Sequence, residues 1–223
     1  MITYRRNYPT GANVESIYCS KEYMAEPNTP ENQEILIDAL SLALSTDPVD
    51  WNYVRTVLAL MQKGMATDLR ITQLADQLFT TPRNIKMSND YGNCIRAMYH
   101  ILKQQKTKET ADLLYKACSR EYWGDDPMHT PSLSKERSEE SIIMVRKFAL
   151  IYLSEYMPPE LSIPLLEQLA SAYPDTYVPP DIVVQPADRF RSERRENIDF
   201  SRADIDAALD KAYKMLAAEE SGK

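Results

Sequence analysis

Glycine is scarce in this chain, with 5 among 223 residues, against roughly 7% in an ordinary globular protein. Tight hairpin turns need positive φ, which glycine supplies without steric cost, so its scarcity argues against a fold rich in hairpins. Phosphate-binding glycine loops are also missing, and no Cys-x-x-Cys, His-Glu-x-x-His or Gly-x-Ser-x-Gly pattern occurs. Cysteine appears only as Cys19, Cys94 and Cys118. An odd number without paired spacing argues against a disulfide framework and fits a reducing compartment. Long apolar runs are missing too. The longest, Phe148–Leu153, falls far short of the roughly 20 residues that span a bilayer. The N-terminus lacks the apolar stretch of a signal peptide. The expected location is the cytoplasm, and no membrane partner is expected.

Positive charge is also in deficit, with 26 Lys and Arg against 33 Asp and Glu, a formal net charge of −7 and a pI near 5.0. The overall field therefore does not draw the chain to nucleic acid or to anionic membranes. Residues 67–108 are the exception, with an excess of four positive charges.

Helix signals run along the rest of the chain. Thr29-Pro30-Glu31 reads as cap, first helical position and first-turn acid. Ile35, Leu36, Ala39, Leu40 and Ala43 then follow a 3.6-residue period. Asp47-Pro48 repeats the start signal, Trp51, Val54, Leu58 and Met61 share a face, and Gly64 fits the residue just past a helix end. Further helices are expected over 71–79, from Thr81-Pro82, over 91–106 and over 107–121. The last two present Ile95, Met98, Tyr99 and Leu102, then Leu113, Leu114 and Ala117. Asn89-Asp90-Tyr91-Gly92 reads as a break. Residues 122–137 read as a loop containing Trp123. A helix begun by Ser138 has apolar positions nearly all round, and Pro158-Pro159 ends it. A shorter helix covers 163–172. Residues 173–200 are too rich in proline for one helix. Ser201 and Asp204 open a last helix in capping-box style, with Ile205, Leu209, Ala212 and Leu216 as its stripe.

The fold class is therefore all-α, with about eight or nine helices in a compact bundle or an irregular helical-repeat core. The expected organisation is an irregular N-terminal arm (1–28), a helical core (29–172), an extended proline-rich arm (173–200) and a C-terminal helix and tail (201–223).

One segment suggests a binding function. In Ile71–Lys86, the residues Leu74, Ala75 and Leu78 face inward, Phe79 takes the turn, Thr81-Pro82 starts a second helix and Ile85 plugs it into the first. This spacing resembles the helix-turn-helix of bacterial transcription regulators. The resemblance covers residues 71–88 and implies a recognition helix in the major groove. Arg83 and Asn84 would then meet guanine and adenine edges, Lys86 a phosphate, and Met87 the same surface.

Candidate chemistry is sparse. Asp125, Asp126 and His129 could hold a divalent ion or furnish a base. The same residues also read as turn chemistry beside a solvated histidine. His100 is expected to pack within its helix, and Cys94 and Cys118 to pack as small hydrophobes. Arg189, Arg191, Arg194 and Arg195 interleave with acids in a mixed-charge linker. The leading reading is a non-catalytic interaction or assembly subunit without cofactor or metal. Its proline-rich arm would contact another protein, or copies of the chain itself, through Tyr177, Val178, Ile182 and Val184. A DNA-binding regulator using residues 71–88 is the alternative, with duplex DNA as partner. A small metal-dependent hydrolase around Asp125 and His129 is the third reading.

Overall fold

Thr29 leaves the helical region of backbone space and turns its side chain onto the chain that follows. In the computed structural model, which describes residues 6–7, 13–14, 29–47, 49–64, 67–81, 88–123, 135–173 and 201–221, its Oγ1 accepts from the Asn32 amide at 3.3 Å, and Pro30 takes the first helical position. A helix begins there because one orphan donor of the first turn is satisfied and proline's missing N–H costs nothing at that place. The described residues form eight helices: α1 (Pro30–Ser45), α2 (Trp51–Met61), α3 (Leu69–Thr80), α4 (Ser88–Leu102), α5 (Lys108–Cys118), α6 (Lys135–Tyr156), α7 (Pro159–Ala172) and α8 (Arg202–Ser221). A 3-10 turn covers Glu121–Trp123. Two short strands, β1 (Arg6–Asn7) and β2 (Asn13–Val14), pair antiparallel with Arg6 opposite Val14. The fold is all-α in class.

The chain divides into two compact units. The first comprises Met1–Leu78 and Asn89–Gln104, the second Phe79–Ser88 and Gln105–Lys223. In the first unit α1 packs on α2. The α2–α4 contact carries polar ties: Gln62 Nε2 donates to the Ala97 carbonyl at 3.3 Å, and Cys94 Sγ to the Trp51 carbonyl at 3.6 Å. The core of this unit holds Leu36, Leu40, Val54, Leu58, Ile71, Ile95, Met98 and Tyr99, all essentially without solvent access. In the second unit α8 lies against α6 and α7, and α5 against α6 and α7. Trp123 is buried beneath α5, its ring tilted on Phe79 at 5.4 Å between centroids.

Several boundaries differ from the sequence reading, each for a local reason. The α1 stripe is rotated, with Leu36, Ile37, Leu40, Ala43 and Leu44 buried and Ile35 47% exposed. The cap of α2 is Asp50 rather than Asp47; its carboxylate accepts from the Tyr53 amide at 3.0 Å. Asp50 stands directly before the buried Trp51, and packing of the indole sets where the first turn starts. Gly64 donates to the Met61 carbonyl at 3.1 Å but lies two residues beyond the cap Gln62. Phe79 is helical and 1% exposed, so it is not a turn residue. The expected break at Asn89–Gly92 is instead the beginning of α4. Asn and Asp serve the first turn of a helix as readily as they serve a loop.

Further along, α6 starts at Lys135, three residues before Ser138, and Trp123 belongs to the 3-10 turn rather than to a loop. Pro158-Pro159 ends α6 and also starts α7, with Pro159 at the first helical position. Pro164 is tolerated inside α7 because it faces solvent, as does Glu160, whose carbonyl loses its partner. In α8 the buried residues are Ile205, Ala208 and Ala212, while Leu209 and Leu216 are half-buried at the edge of the stripe. The Ser201–Asp204 capping box is present: Asp204 Oδ2 accepts from the Ser201 amide at 2.8 Å, and the Asp204 amide donates to Ser201 Oγ at 3.4 Å.

The cap assignment is directly testable. Asp50→Ala should destabilise the protein by about 1 kcal/mol, whereas Asp47→Ala should leave stability unchanged. Urea denaturation of the two variants side by side checks this, and equal effects would contradict the placement of the cap.

Candidate functional site

The residues singled out by sequence for chemistry lie outside the described set. This holds for Arg83, Asn84, Lys86 and Met87, for Asp125, Asp126 and His129, and for Tyr177, Val178, Ile182 and Val184. The four arginines of 189–195 and Cys19 lie outside it as well. The described residues do show how the proline-rich segment 174–200 is attached, and how charge is distributed over the first unit.

Attachment depends on Tyr173. The residue follows α7, and its amide donates to the Leu169 and Ala170 carbonyls at 3.2 and 3.3 Å. Its hydroxyl accepts from Arg146 Nη2 at 2.7 Å. Its carbonyl accepts from Arg202 Nη1 at 2.9 Å, and the same nitrogen reaches the Ala170 carbonyl at 2.8 Å. Arg202 is the first residue of α8, and Arg146 sits in the middle of α6 with 6% exposure. Arg146 also donates through Nε to the Cys118 carbonyl at 2.8 Å, the last residue of α5. Trp123 Nε1 donates to the Ala117 carbonyl at 2.9 Å, and the Ser119 amide to that of Lys116 at 3.0 Å. The final carbonyls of α5 and α7 are thus met by positively charged or strong donors, where the helix dipoles are negative. The sequence reading placed Tyr173 at the start of a free arm. In the structure it joins α6, α7 and α8.

Tyr173 and Ser201 flank segment 174–200, and Arg202 bonds back to the Tyr173 carbonyl. Lys147 pairs with Asp204 at 3.3 Å, and Arg202 Nε with Asp206 at 2.7 Å. Lys211 with Glu155 and Tyr213 with Glu167, the latter at 2.6 Å, tie the rest of α8 to α6 and α7.

In the first unit, acids gather on α1. α1 contains Glu31, Glu34 and Asp38 and no basic residue. Arg70, at the start of α3, donates to Glu34 through both Nη atoms and to Asp68 at 2.7 Å, with Asp38 at 3.8 Å. Hydrogen bonding to this guanidinium holds the Glu34 and Asp68 carboxyls below the usual range. By contrast, residues 51–64 and 91–104 contain no Asp or Glu. They carry Arg55 and Lys63 on the α2 side and Arg96, His100 and Lys103 on the α4 side. His100 is exposed, contrary to the packing role expected of it. Partial burial, Lys103 and Arg96, in that order, hold its imidazole below the ordinary value of 6.5.

The described cysteines are packing residues. Cys118 is wholly buried, and burial pushes its thiol up to about 12, so it stays protonated and is not a nucleophile. No cluster of three or more metal-ligating side chains occurs among the described residues, and no described helix is long and apolar enough to cross a membrane. No protein-family model matches the chain, and neither a curated protein nor a solved structure resembles it.

Two consequences can be measured. Tyr173→Phe leaves a buried guanidinium without one acceptor and should cost about 2 kcal/mol in urea denaturation; an unchanged midpoint would remove Tyr173 from its central position. His100 has a folded pKa below its unfolded one, so it contributes nothing above the ordinary value and destabilises the fold as pH falls through the folded value. His100→Gln should therefore lose less stability than the wild type between pH 7.5 and pH 5. Thermal melts of both proteins at the two pH values read the difference.

Proposed function

We propose that the chain is a non-catalytic interaction subunit that presents segment 174–200 to a partner protein, either a different chain or a second copy of its own. The observation that carries this reading is the 2.9 Å bond from Arg202 Nη1 to the Tyr173 carbonyl. It ties the residue before the segment to the helix that begins just after it, so both ends of the segment are fixed on one packed helical unit. A segment held at both ends gives up less entropy on binding than a free tail, since part of its ordering is already complete. Tyr177, Val178, Ile182 and Val184 are the contact residues, because their apolar surface is the kind that a partner's surface would cover.

Duplex DNA is the partner in the second reading, in which Arg83, Asn84, Lys86 and Met87 meet the groove. The excess of positive charge over residues 67–108 favours it, since the segment lies within that stretch. On this reading Arg83→Ala and Lys86→Ala weaken duplex binding.

The leading reading is tested by exchanging residues 174–200 for a short Gly/Ser linker. The ends meet already, so the melting temperature should change by only a few degrees, while association is lost in sedimentation measurements. A photo-crosslinking residue at position 177 should trap the partner in the full chain, whereas one at Tyr213 should not. A chain that is monomeric at all concentrations and yields no adduct from position 177 sinks the reading.

A further inference from the structure

We infer that the exposed edge of α1, along Ile35, Asp38 and Leu42, is a docking surface for an amphipathic helix of a partner protein that carries lysine or arginine beside its apolar ridge. The inference concerns the first unit alone and is independent of segment 174–200. Among its described residues, that unit exposes the large apolar side chains Ile35, Leu42 and Leu69. Ile35 and Leu42, 47% and 45% exposed, stand two turns apart on one line of α1. Leu69 is 59% exposed at the start of α3, directly before Arg70, whose guanidinium is bonded to Glu34. The exposed apolar surface is therefore gathered at one place rather than scattered singly. Helix stability does not explain it. An exposed isoleucine forms helix less readily than lysine or glutamate, and the free energy of its burial goes unused.

The charge beside this line selects the partner. Glu34, Asp38 and Asp68 share a single base, Arg70, so three carboxylates against one guanidinium leave a surplus of two negative charges after pairing. Hydrogen bonding to Arg70 keeps Glu34 and Asp68 ionised at neutral pH. Asp38 is held least: its carboxylate lies 3.8 Å from Arg70 Nη1, and its side chain is 71% exposed. It stands between Ile35 and Leu42, one turn from each. Such a surface repels nucleic acid and anionic lipid and draws a cationic protein segment. It is a helix face, without the open backbone edge to which a strand could be added. A second helix laid along α1 meets Ile35 and Leu42 with its own apolar ridge over about 10 Å. Its lysine or arginine then faces Asp38 and the surplus charge around Arg70.

The apolar and the charged parts of this contact respond differently to salt. Burial of Ile35 and Leu42 does not depend on ionic strength in this range, whereas the pull of Asp38 is screened, the screening length falling from about 10 Å at 0.1 M to about 3 Å at 1 M. The aliphatic pair thus supplies most of the affinity, and Asp38 the choice of charge.

The test titrates the full chain into a labelled leucine–lysine peptide of about 18 residues, long enough to be helical, with leucines on one face, and reads fluorescence anisotropy at low and high salt. The same peptide with glutamate in place of lysine is the comparison. The lysine peptide should bind and the glutamate peptide should not. Ile35→Gln with Leu42→Gln should weaken binding by about tenfold or more at both salt concentrations. Asp38→Asn should weaken it by about threefold at low salt and leave it unchanged at high salt. It also keeps the test readable if the double variant melts early. Met144→Gln with Ile151→Gln, exposed apolar residues of α6 in the second unit, should leave binding unchanged. Equal binding of the glutamate peptide, a double variant that binds like the wild type, or an equal loss in the α6 variant overturns the inference. So does a concentration-dependent dimer in sedimentation that the Ile35/Leu42 variant dissociates, because that result assigns the edge to a second copy of the chain.

Discussion

A guanidinium with 6% exposure, at Arg146, is the constraint on which the second unit is arranged. Removing such a charge from water costs several kcal/mol unless its donors are met by well-placed acceptors. The acceptors here come from separate places in the chain: the Cys118 carbonyl at the end of α5 and the Tyr173 hydroxyl just beyond α7. Both helices must therefore end where they do. A one-residue extension of either would move an acceptor out of reach and leave the charge buried and poorly paired. The negative ends of two helix dipoles converge on this position and further favour the charge. Glu121 contributes from the following 3-10 turn. Its own backbone N–H and Ser119 hold its carboxyl below the usual range, with Arg146 adding to the effect.

Arg202 extends the same logic to the end of the chain. It meets carbonyls at the end of α7 while its own helix, α8, buries Ile205, Ala208 and Ala212. Closing a loop as long as 174–200 costs about 3 kcal/mol, and the cost grows only slowly with length. Burial of one isoleucine and two alanines, with charge-assisted bonds at the start of the helix, is of the right size to offset it.

What could be read from sequence followed the range of the interactions concerned. Thr29 and the Ser201–Asp204 box were readable because a cap is settled within four residues. The faces of α2 and α5 were readable because a 3.6-residue period is local too. Asp47 was mistaken for Asp50, and Asn89–Gly92 for a break, because the same short polar side chains serve loops, caps and first turns. Only the packing of Trp51 and the burial of Ile95 and Met98 decide between those uses. The α1 and α8 stripes were shifted because several apolar residues competed and the neighbouring helix selected among them. The arrangement at Arg146, Tyr173 and Arg202 had no sequence signal. Its bonded pairs lie 27 to 32 positions apart, and nothing in an arginine's neighbours announces which distant acceptor it will meet.

Net charge averages over a distance larger than the one at which charge acts. A total of −7 describes the chain seen from far off. At physiological ionic strength the field of a surface group decays within about 8 Å, which is shorter than the length of a single helix here. Over that distance a partner meets one helix face, not the whole protein. α1 with its acids is then a surface of its own, and Arg70 is drawn into it.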